Sequence, residues 1–499
     1  MSRRAAPKAN STVAEGEGTL VTRLLMLVMA ALLAACTAVG PNYQRPADAA
    51  INGKAANGPL LSGSEAAFVR EPVPGDWWRL YENPTLDGLV QEALAANTDL
   101  RIAAGNIERA LAGQDYADAG RRPTTNLLAT TTYGRRSAEE ELRPGKPFDN
   151  KVTYGLGASV SYQVDLFGQI ARTIESAQAD TSAARAAYDA TRVTVVAETT
   201  RAFLDACSAG REIAVANRSV ALQEKSAELT QALFHGGRGN TLDVTRASAQ
   251  VDQVRASLPV LKAQRRLALY RLAVLTGHAP EDFPRAVQAC EQEPRLAQPI
   301  PIGDGAGLLS RRPDIRRAEL ELHSATARIG VVTADLYPKV TLGASLGSAG
   351  LGKNFLDADT FKFSIGPLIN WQFPDRSRIQ ARIRSADADQ QVALARFDGT
   401  VLNALKEAES ALETYARDLE RRALLEAARQ KARRAAEDTQ QLFALGRQGY
   451  LPVLDADRTL TAVEQSVAAA DSKLASDQVN LFLALGGGWE DEGKRSRAP

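Results

Sequence analysis

Acid–base, nucleophilic or metal chemistry needs histidine, cysteine and carboxylate side chains at workable spacings. This chain of 499 residues has only three histidines and three cysteines. His235, His278 and His323 stand apart, with no cysteine or carboxylate at metal-ligand spacing. His235 falls at a turn. His323 lies on a helix beside Glu319, where a surface pair accounts for it. No phosphate-cradling loop, nucleophile elbow or dinucleotide fingerprint occurs between a strand and a helix that would support it. Gly350-Leu351-Gly352 reads as a hairpin loop, and the mixed charges of residues 417–434 read as helix faces with i,i+4 pairs. The chain is expected not to be an enzyme and to need no metal or cofactor.

One cysteine does invite covalent chemistry. Arg23 precedes an apolar run that ends Leu33-Ala34-Ala35-Cys36. The run falls short of the roughly 20 apolar residues of a spanning helix and has the layout of a signal peptide. Its end resembles the bacterial lipobox, in which cleavage before the cysteine accompanies transfer of diacylglycerol to the thiol. Each acyl methylene buried in a bilayer then contributes roughly 0.8 kcal/mol. Residues 1–35 are thus expected to be a signal peptide and Cys36 a lipidated first residue. Thr37 follows where an inner-membrane retention signal would have Asp. Cys207 and Cys290 remain; a disulfide between them is possible in an oxidising compartment, but nothing in the sequence requires it.

A net charge of +1 with 24% charged residues gives no electrostatic case for nucleic acid. Aromatics are only 6%, and a middle rich in Ala, Arg, Glu and Gln suits long helices.

The organising feature is an internal duplication. Thr98-Asp99-Leu100-Arg101 answers Pro313-Asp314-Ile315-Arg316, and Pro123 answers Pro338, both at an offset of 215 (314−99, 338−123). Tyr162-Gln163 answers Trp371-Gln372, Leu233-Phe234 answers Leu442-Phe443, Gly237-Arg238 answers Gly446-Arg447 and Gly277 answers Gly486, all at 209 (371−162, 486−277). The offset changes once, between the two strands of each half, so one hairpin loop is longer. Each half is expected to run helix, two strands, long helix, tight turn, long helix.

The strands show period two. Val340, Leu342, Ala344 and Leu346 alternate with small or polar residues, as do Phe361, Phe363, Ile365, Pro367, Ile369, Trp371 and Phe373. Tyr154, Leu156, Ala158, Val160, Tyr162 and Val164 repeat the pattern against Gly155, Gly157, Ser159, Ser161, Gln163 and Asp165. Leu127, Ala129, Thr131 and Tyr133 supply a weaker partner. A soluble sheet would need something to cover its apolar face; strands of about 10 residues also suit a bilayer crossing. The membrane reading is favoured. Four strands cannot close a barrel, since the smallest have about eight, and an open edge in lipid leaves backbone groups unpaired. Copies must therefore share one barrel. Two would supply about 8 strands, a number that side chains fill, and three about 12, which points a conduit to at least three.

Residues 376–445 contain no Pro and only Gly399, and residues 172–235 only Gly210. At 1.5 Å per residue such helices reach on the order of 100 Å. Val401, Leu405, Ala408, Leu412, Tyr415 and Leu419 form a coiled-coil-like stripe. Gly236-Gly237 and residues 446–449 are expected to turn each long helix back on itself.

These segments together resemble a known family. Val39-Gly40-Pro41-Asn42-Tyr43, Trp77-Trp78-Arg79-Leu80-Tyr81, the Arg311-Arg312-Pro313-Asp314-Ile315 block and Gly446-Arg447-Gln448-Gly449-Tyr450-Leu451-Pro452-Val453-Leu454-Asp455 are similar to blocks of TolC/OprM-type outer-membrane factors, in the lipoprotein (NodT-like) branch. The resemblance implies a mainly α fold with a membrane β-barrel portion: a homotrimer with a 12-stranded barrel, four strands per chain, set in outer-membrane lipid over a long periplasmic helical barrel. It implies an outer-membrane efflux duct serving a periplasmic adaptor and an inner-membrane pump of the resistance-nodulation-division type. Type I protein secretion is an alternative use of the same duct. A lipid-anchored coiled-coil scaffold would explain the helices but not the strands.

The expected domains are 1–35, signal peptide; 36–85, lipidated N-terminal extended segment and equatorial region; 86–290, first repeat; 291–488, second repeat; and 489–499, C-terminal tail. By resemblance, the pore constriction falls on Leu451 and Asp455, which share a helix face. A ring of carboxylates there would repel one another and attract cations. Pro452 stands where some members carry a second acid, and it suits a first helical turn. Gly236, Gly237, Arg238, Asp243, Gly446, Arg447 and Gly449 are expected at the periplasmic tip, against the adaptor.

Overall fold

The computed structural model describes residues 38–487 except 136, 140, 141, 143, 146–148, 297, 298, 372, 374 and 375. The expected signal peptide, Cys36, Gln372 and the C-terminal tail lie outside the described residues. The elements in chain order are β1 (Phe68–Val69), α1 (Pro84–Ala96), α2 (Thr98–Ala119), β2 (Thr124–Gly134), β3 (Lys151–Val164), α3 (Gln169–His235), α4 (Thr241–Arg255), α5 (Ser257–Leu275), α6 (Arg285–Gln288), β4 (Ile300–Pro301), α7 (Gly305–Arg311), α8 (Pro313–Thr333), β5 (Lys339–Leu351), β6 (Phe361–Asn370), α9 (Arg376–Ala444) and α10 (Tyr450–Ala484). The expected order recurs in both halves. The longer hairpin connection is the first, residues 135–150 against 352–360.

One difference from expectation concerns the return helix of the first half. It is split at Ala256 into α4 and α5. Pro259 explains the break, because it has no N–H to give the carbonyl of Arg255, four residues back.

The chain divides into two units. The first comprises residues 1–44, 109–181 and 320–393, the second 45–108, 182–319 and 394–499. The first unit holds a four-stranded antiparallel sheet in the order β2-β3-β5-β6. Each central strand is paired on both sides, whereas β2 and β6 each keep one edge without a partner among the described residues. Every residue of β2 and β6 is exposed.

The second unit is helical, with a core where the β1–β4 pair and residues 60–90 pack into α3, α5, α9 and α10. Trp77 is wholly buried and stacks on Phe482 at 4.6 Å between ring centroids, which accounts for the Trp77-Trp78 block. Along α9 the buried stripe is Phe397, Val401, Ala404, Ala408, Leu412, Tyr415 and Ala416, a helical period of mixed large and small residues. Leu419, expected in this stripe, is 38% exposed. Among the described residues no helix is long and apolar enough to cross a membrane.

Candidate functional site

Three features carry the functional argument: the two faces of the sheet, the clamp on the N-terminal segment, and the hairpin tips. The strand register sorts side chains onto two faces. Leu127 pairs with Ala158, Ala158 with Leu346 and Leu346 with Phe363. Val160 pairs with Ala344, and Ala344 with Ile365. One face is therefore mainly apolar, as the alternation predicted, with Thr131 and Ser348 among its residues. The other carries Asn126, Ser159, Ser345 and Ser364 in one row and Thr124, Ser161, Gly343 and Gly366 in another. Hydroxyls on that face pair with each other, Thr124 Oγ1 with Ser161 Oγ and Ser345 Oγ with Ser364 Oγ, both at 2.8 Å. Aromatic side chains gather at the ends of the apolar face: Tyr133, Tyr154 and Phe361 at one, Tyr162, Tyr337, Trp371 and Phe373 at the other. Phe363 and Ile365 are each 82% exposed. A tall apolar face bounded by aromatic rows, backed by a small polar face, is the pattern of a sheet between lipid and water.

Beneath the sheet, within the same unit, the N-terminal segment is clamped. Ala38 lies against Gly168, where a Cβ would come within 2.4 Å of its side chain. Gly40 takes φ +87 and leaves no room for a Cβ against the backbone of Gly330. Buried Arg172 donates to the carbonyls of Val39 and Gly40 and to Asn42 Oδ1, and pairs with Glu175 at 2.7 Å. The Val39–Tyr43 block thus has a local physical reason. His323 corrects the sequence reading: its partner is Glu175, at 3.0 Å, and its ring stacks on Tyr43. Glu319 instead pairs with Arg45. Glu175 is held below its usual pKa by hydrogen bonds from His323 and Arg172, against the opposing effect of burial.

The tips of the helical hairpins lie in the second unit. Gly237 (φ +71) and Gly446 (φ +67) end α3 and α9 in left-handed backbone. Arg238 N–H then reaches Leu233 O at 2.8 Å, and Arg447 N–H reaches Leu442 O at 2.9 Å, so orphan helix carbonyls are satisfied in the same way at both turns. Gly236 and Gly449 sit in the turns, Gly449 as N-cap of α10. Asp243 lies in the first turn of α4, where its carboxylate is engaged by Asn240 Nδ2 at 2.8 Å and by Arg246 at 3.8 Å.

On α10, Val453 and Leu454 are buried with Tyr450 and Ala247, while Leu451, 57% exposed, and Asp455 lie on the outward face. Pro452 occupies the first turn. The offset of 209 carries Leu451 to Leu242 and Asp455 to Arg246 (451−209, 455−209). Leu242 is 56% exposed and Arg246 is also exposed. The two tips therefore show the same leucine with opposite charges.

Farther along the second unit, Cys207 and Cys290 form a disulfide, Cα to Cα 4.9 Å. The bond fixes the segment after α6 to α3. That segment brings Arg295 to buried Asp471 of α10 and Glu293 to Arg211, and Asp471 also meets Arg211 and Arg422. Burial raises the Glu293 pKa, with Arg211 opposing. Asp457, wholly buried, is likewise pushed up by burial and opposed only by a hydrogen bond from Gln440 at 2.8 Å. Among the described residues no group of three or more His, Cys, Asp or Glu is arranged to hold a metal.

A sheet with a lipid-compatible face and free edges, joined in the chain to glycine-tipped helical hairpins, defines an outer-membrane channel of the efflux type. The family profile described as outer membrane efflux protein matches residues 89–278 and 307–487, and the chain belongs to that family. It is 27% identical to nodulation protein T of Rhizobium leguminosarum bv. trifolii, over 95% of this chain and 99% of that one. It is 30% identical to outer membrane protein OprJ of Pseudomonas aeruginosa, over 94% and 96%. The solved outer-membrane channel OprN superposes with a TM-score of 0.83 at 33% identity, covering 90% of this chain and 99% of that chain. The chain is accordingly an outer-membrane efflux duct with the mainly α, part β-barrel fold expected of it.

Proposed function

We propose that the mature chain works as a lipid-anchored homotrimer, a passive, non-catalytic exit duct whose periplasmic tip closes and dilates. The observation that carries this reading is the sheet: four strands with an apolar face and two unpaired edges. Edge-to-edge joining of three copies gives 3 × 4 = 12 strands and removes every open edge in lipid. The hydroxyl and glycine face then lines a watery bore. The clamp on Val39–Tyr43 supports lipidation at Cys36. Ala38 lies beside the junction of β3 and α3, next to the aromatic row, so acyl chains attached two residues upstream would enter the inner leaflet there. The disulfide fits an oxidising periplasm. No cofactor beyond the covalent lipid is invoked.

In the trimer, Leu451 and Asp455 form an apolar ring and a carboxylate ring at the constriction. The tip turns at Gly236, Gly237, Arg238, Gly446 and Arg447 meet a periplasmic adaptor, which couples the duct to an inner-membrane pump of the resistance-nodulation-division type. Small toxic compounds are the cargo this reading favours, in keeping with the efflux relatives. The test is conductance in planar bilayers. The wild type should conduct weakly and in a cation-selective way, and Asp455→Ala should raise single-channel conductance and sensitise cells to large antibiotics. Unchanged leakage in both assays would remove Asp455 from the gate.

A further inference from the structure

The loop between β5 and β6, residues 352–360, does not stand free above the sheet. It folds back over β5 onto the apolar face of β3. Phe355 packs on the ring of Tyr154 at 4.8 Å. Tyr154 Oη accepts a hydrogen bond from the Leu356 N–H at 2.8 Å and lies 2.8 Å from Ser348 Oγ, 3.0 Å from Thr360 Oγ1 and 3.1 Å from the Asn354 carbonyl. Ser348, on the apolar face, is covered as a result, at 2% exposure. Gly350 leaves the space the loop needs, since a Cβ there would lie 2.8 Å from the Thr360 side chain. Leu356 is held at φ +61, a backbone state that an apolar residue keeps only when its surroundings impose it.

Two properties suit this loop to lipid. Part of its backbone is paired inward, where Leu356 N–H donates to Tyr154 Oη, Asp357 N–H reaches Asn354 O and Thr360 N–H reaches Asp357 O. Backbone paired in this way can enter a low-dielectric medium at little cost. Its apolar side chains face outward: Phe355 is 59% and Leu356 43% exposed, continuing the apolar face of the strands. Charged Lys353, Asp357 and Asp359 are exposed on the same loop, suited to the headgroup level. The fold-back runs toward β3 and away from the free edge of β6, so a neighbouring copy joined at that edge is not what covers it.

We propose that this loop is an outer-leaflet collar: Phe355 and Leu356 sit among the acyl chains of the outer leaflet, and Tyr154 is the positioning residue that holds them there. The inference rests on the barrel reading, and the test separates the two. In the full lipoprotein, with Cys36 acylated and Cys207 bonded to Cys290, Phe355→Cys introduces a thiol for a nitroxide label. The protein is placed in vesicles of phosphatidylethanolamine and phosphatidylglycerol, and collisions with oxygen are compared with collisions with a water-soluble nickel complex. Ile365→Cys and Ser364→Cys, adjacent residues on opposite faces, provide the lipid and lumen references. A label at 355 should match position 365, with oxygen favoured, and adding Tyr154→Phe should shift it toward nickel. A nickel-favoured label at 355 beside an oxygen-favoured one at 365 would overturn the collar and leave the barrel intact. A nickel-favoured label at 365 would overturn the barrel itself. An oxygen-favoured label at 355 that ignores Tyr154→Phe would refute the role given to Tyr154.

Discussion

The return helix of the first half is broken at Ala256, whereas its counterpart in the second half, α10, runs unbroken from Tyr450 to Ala484. The two were built on one plan, yet their buried groups differ. With the offset of 209, Asp457, Asp471 and Asp477 of α10 fall on Ser248, Lys262 and Ala268 of the first half (457−209, 471−209, 477−209). All three acids are buried, while Lys262 is exposed. The first half carries both cysteines and the proline. A duplicated hairpin has thus come to be held in two ways. The second-half return helix is tied to its neighbours by buried charge, and the first half is joined through a covalent bond to the segment that supplies part of that charge. The tips diverge in the same sense, with Arg246 in one and Asp455 in the other behind matched exposed leucines.

The largest effect should come from the hub of the charged side. Removing one member of a buried ion network leaves its partners uncompensated and costs about 3–5 kcal/mol. Asp471→Ala, which takes the carboxylate from Arg295 and Arg422 and leaves Arg211 only Glu293, should cost about 3 kcal/mol in guanidinium unfolding, the low end of that range, because Arg295 is more than half exposed. Lys262→Ala should stay within about 0.5 kcal/mol, and equal losses at both positions would erase the contrast. Next comes the break itself. Ala468→Pro, the equivalent of Pro259 (468−209), should cost about 3 kcal/mol or more in the buried middle of α10, whereas Pro259→Ala should change stability little and join α4 to α5. Helical content and thermal midpoints check both.

The disulfide closes a separation of 83 residues, and a bond of this kind contributes about 2–4 kcal/mol. Cys207→Ser with Cys290→Ser should lose that amount in thermal melts, and a reductant should reproduce the loss in the wild type only. The smallest effect concerns pH. Burial raises the pKa of Asp457 in the folded chain, so its protonated form contributes stability fully below the unfolded carboxylate pKa of about 3.9. That contribution is lost as pH rises through the folded pKa. The wild type should therefore fall in stability from mild acid to neutral pH relative to Asp457→Asn, and a difference that does not change with pH would dismiss the effect.

Much of this was legible in the sequence because it is local. Alternation in residues 154–164 and 361–371 exposes both sheet faces, since side-chain direction in a strand is fixed by parity. Gly237 and Gly446 mark the turns, because few other residues take that backbone. The shift of the repeat offset from 215 to 209 locates the unequal hairpin loops in the sequence itself. What stayed hidden depends on long-range neighbours. Nothing adjacent in the chain pairs His323 with Glu175, and helix spacing suggested Glu319 instead. The fold-back of residues 352–360 turns on one tyrosine nearly two hundred positions upstream. Asp471 reads as an ordinary helix acid until three arginines from separate segments converge on it. The exposure of Leu242 and Arg246 follows from the 209 offset, which sets them opposite Leu451 and Asp455.

In the proposed trimer one copy supplies only part of a barrel, and the duct exists where copies join at the free edges of β2 and β6. Light scattering of the acylated protein in detergent, with the detergent contribution separated by absorbance and refractive index, measures the number of chains per particle. Three chains within one detergent belt are expected. A single chain per particle, carrying no bound detergent, would contradict the trimer.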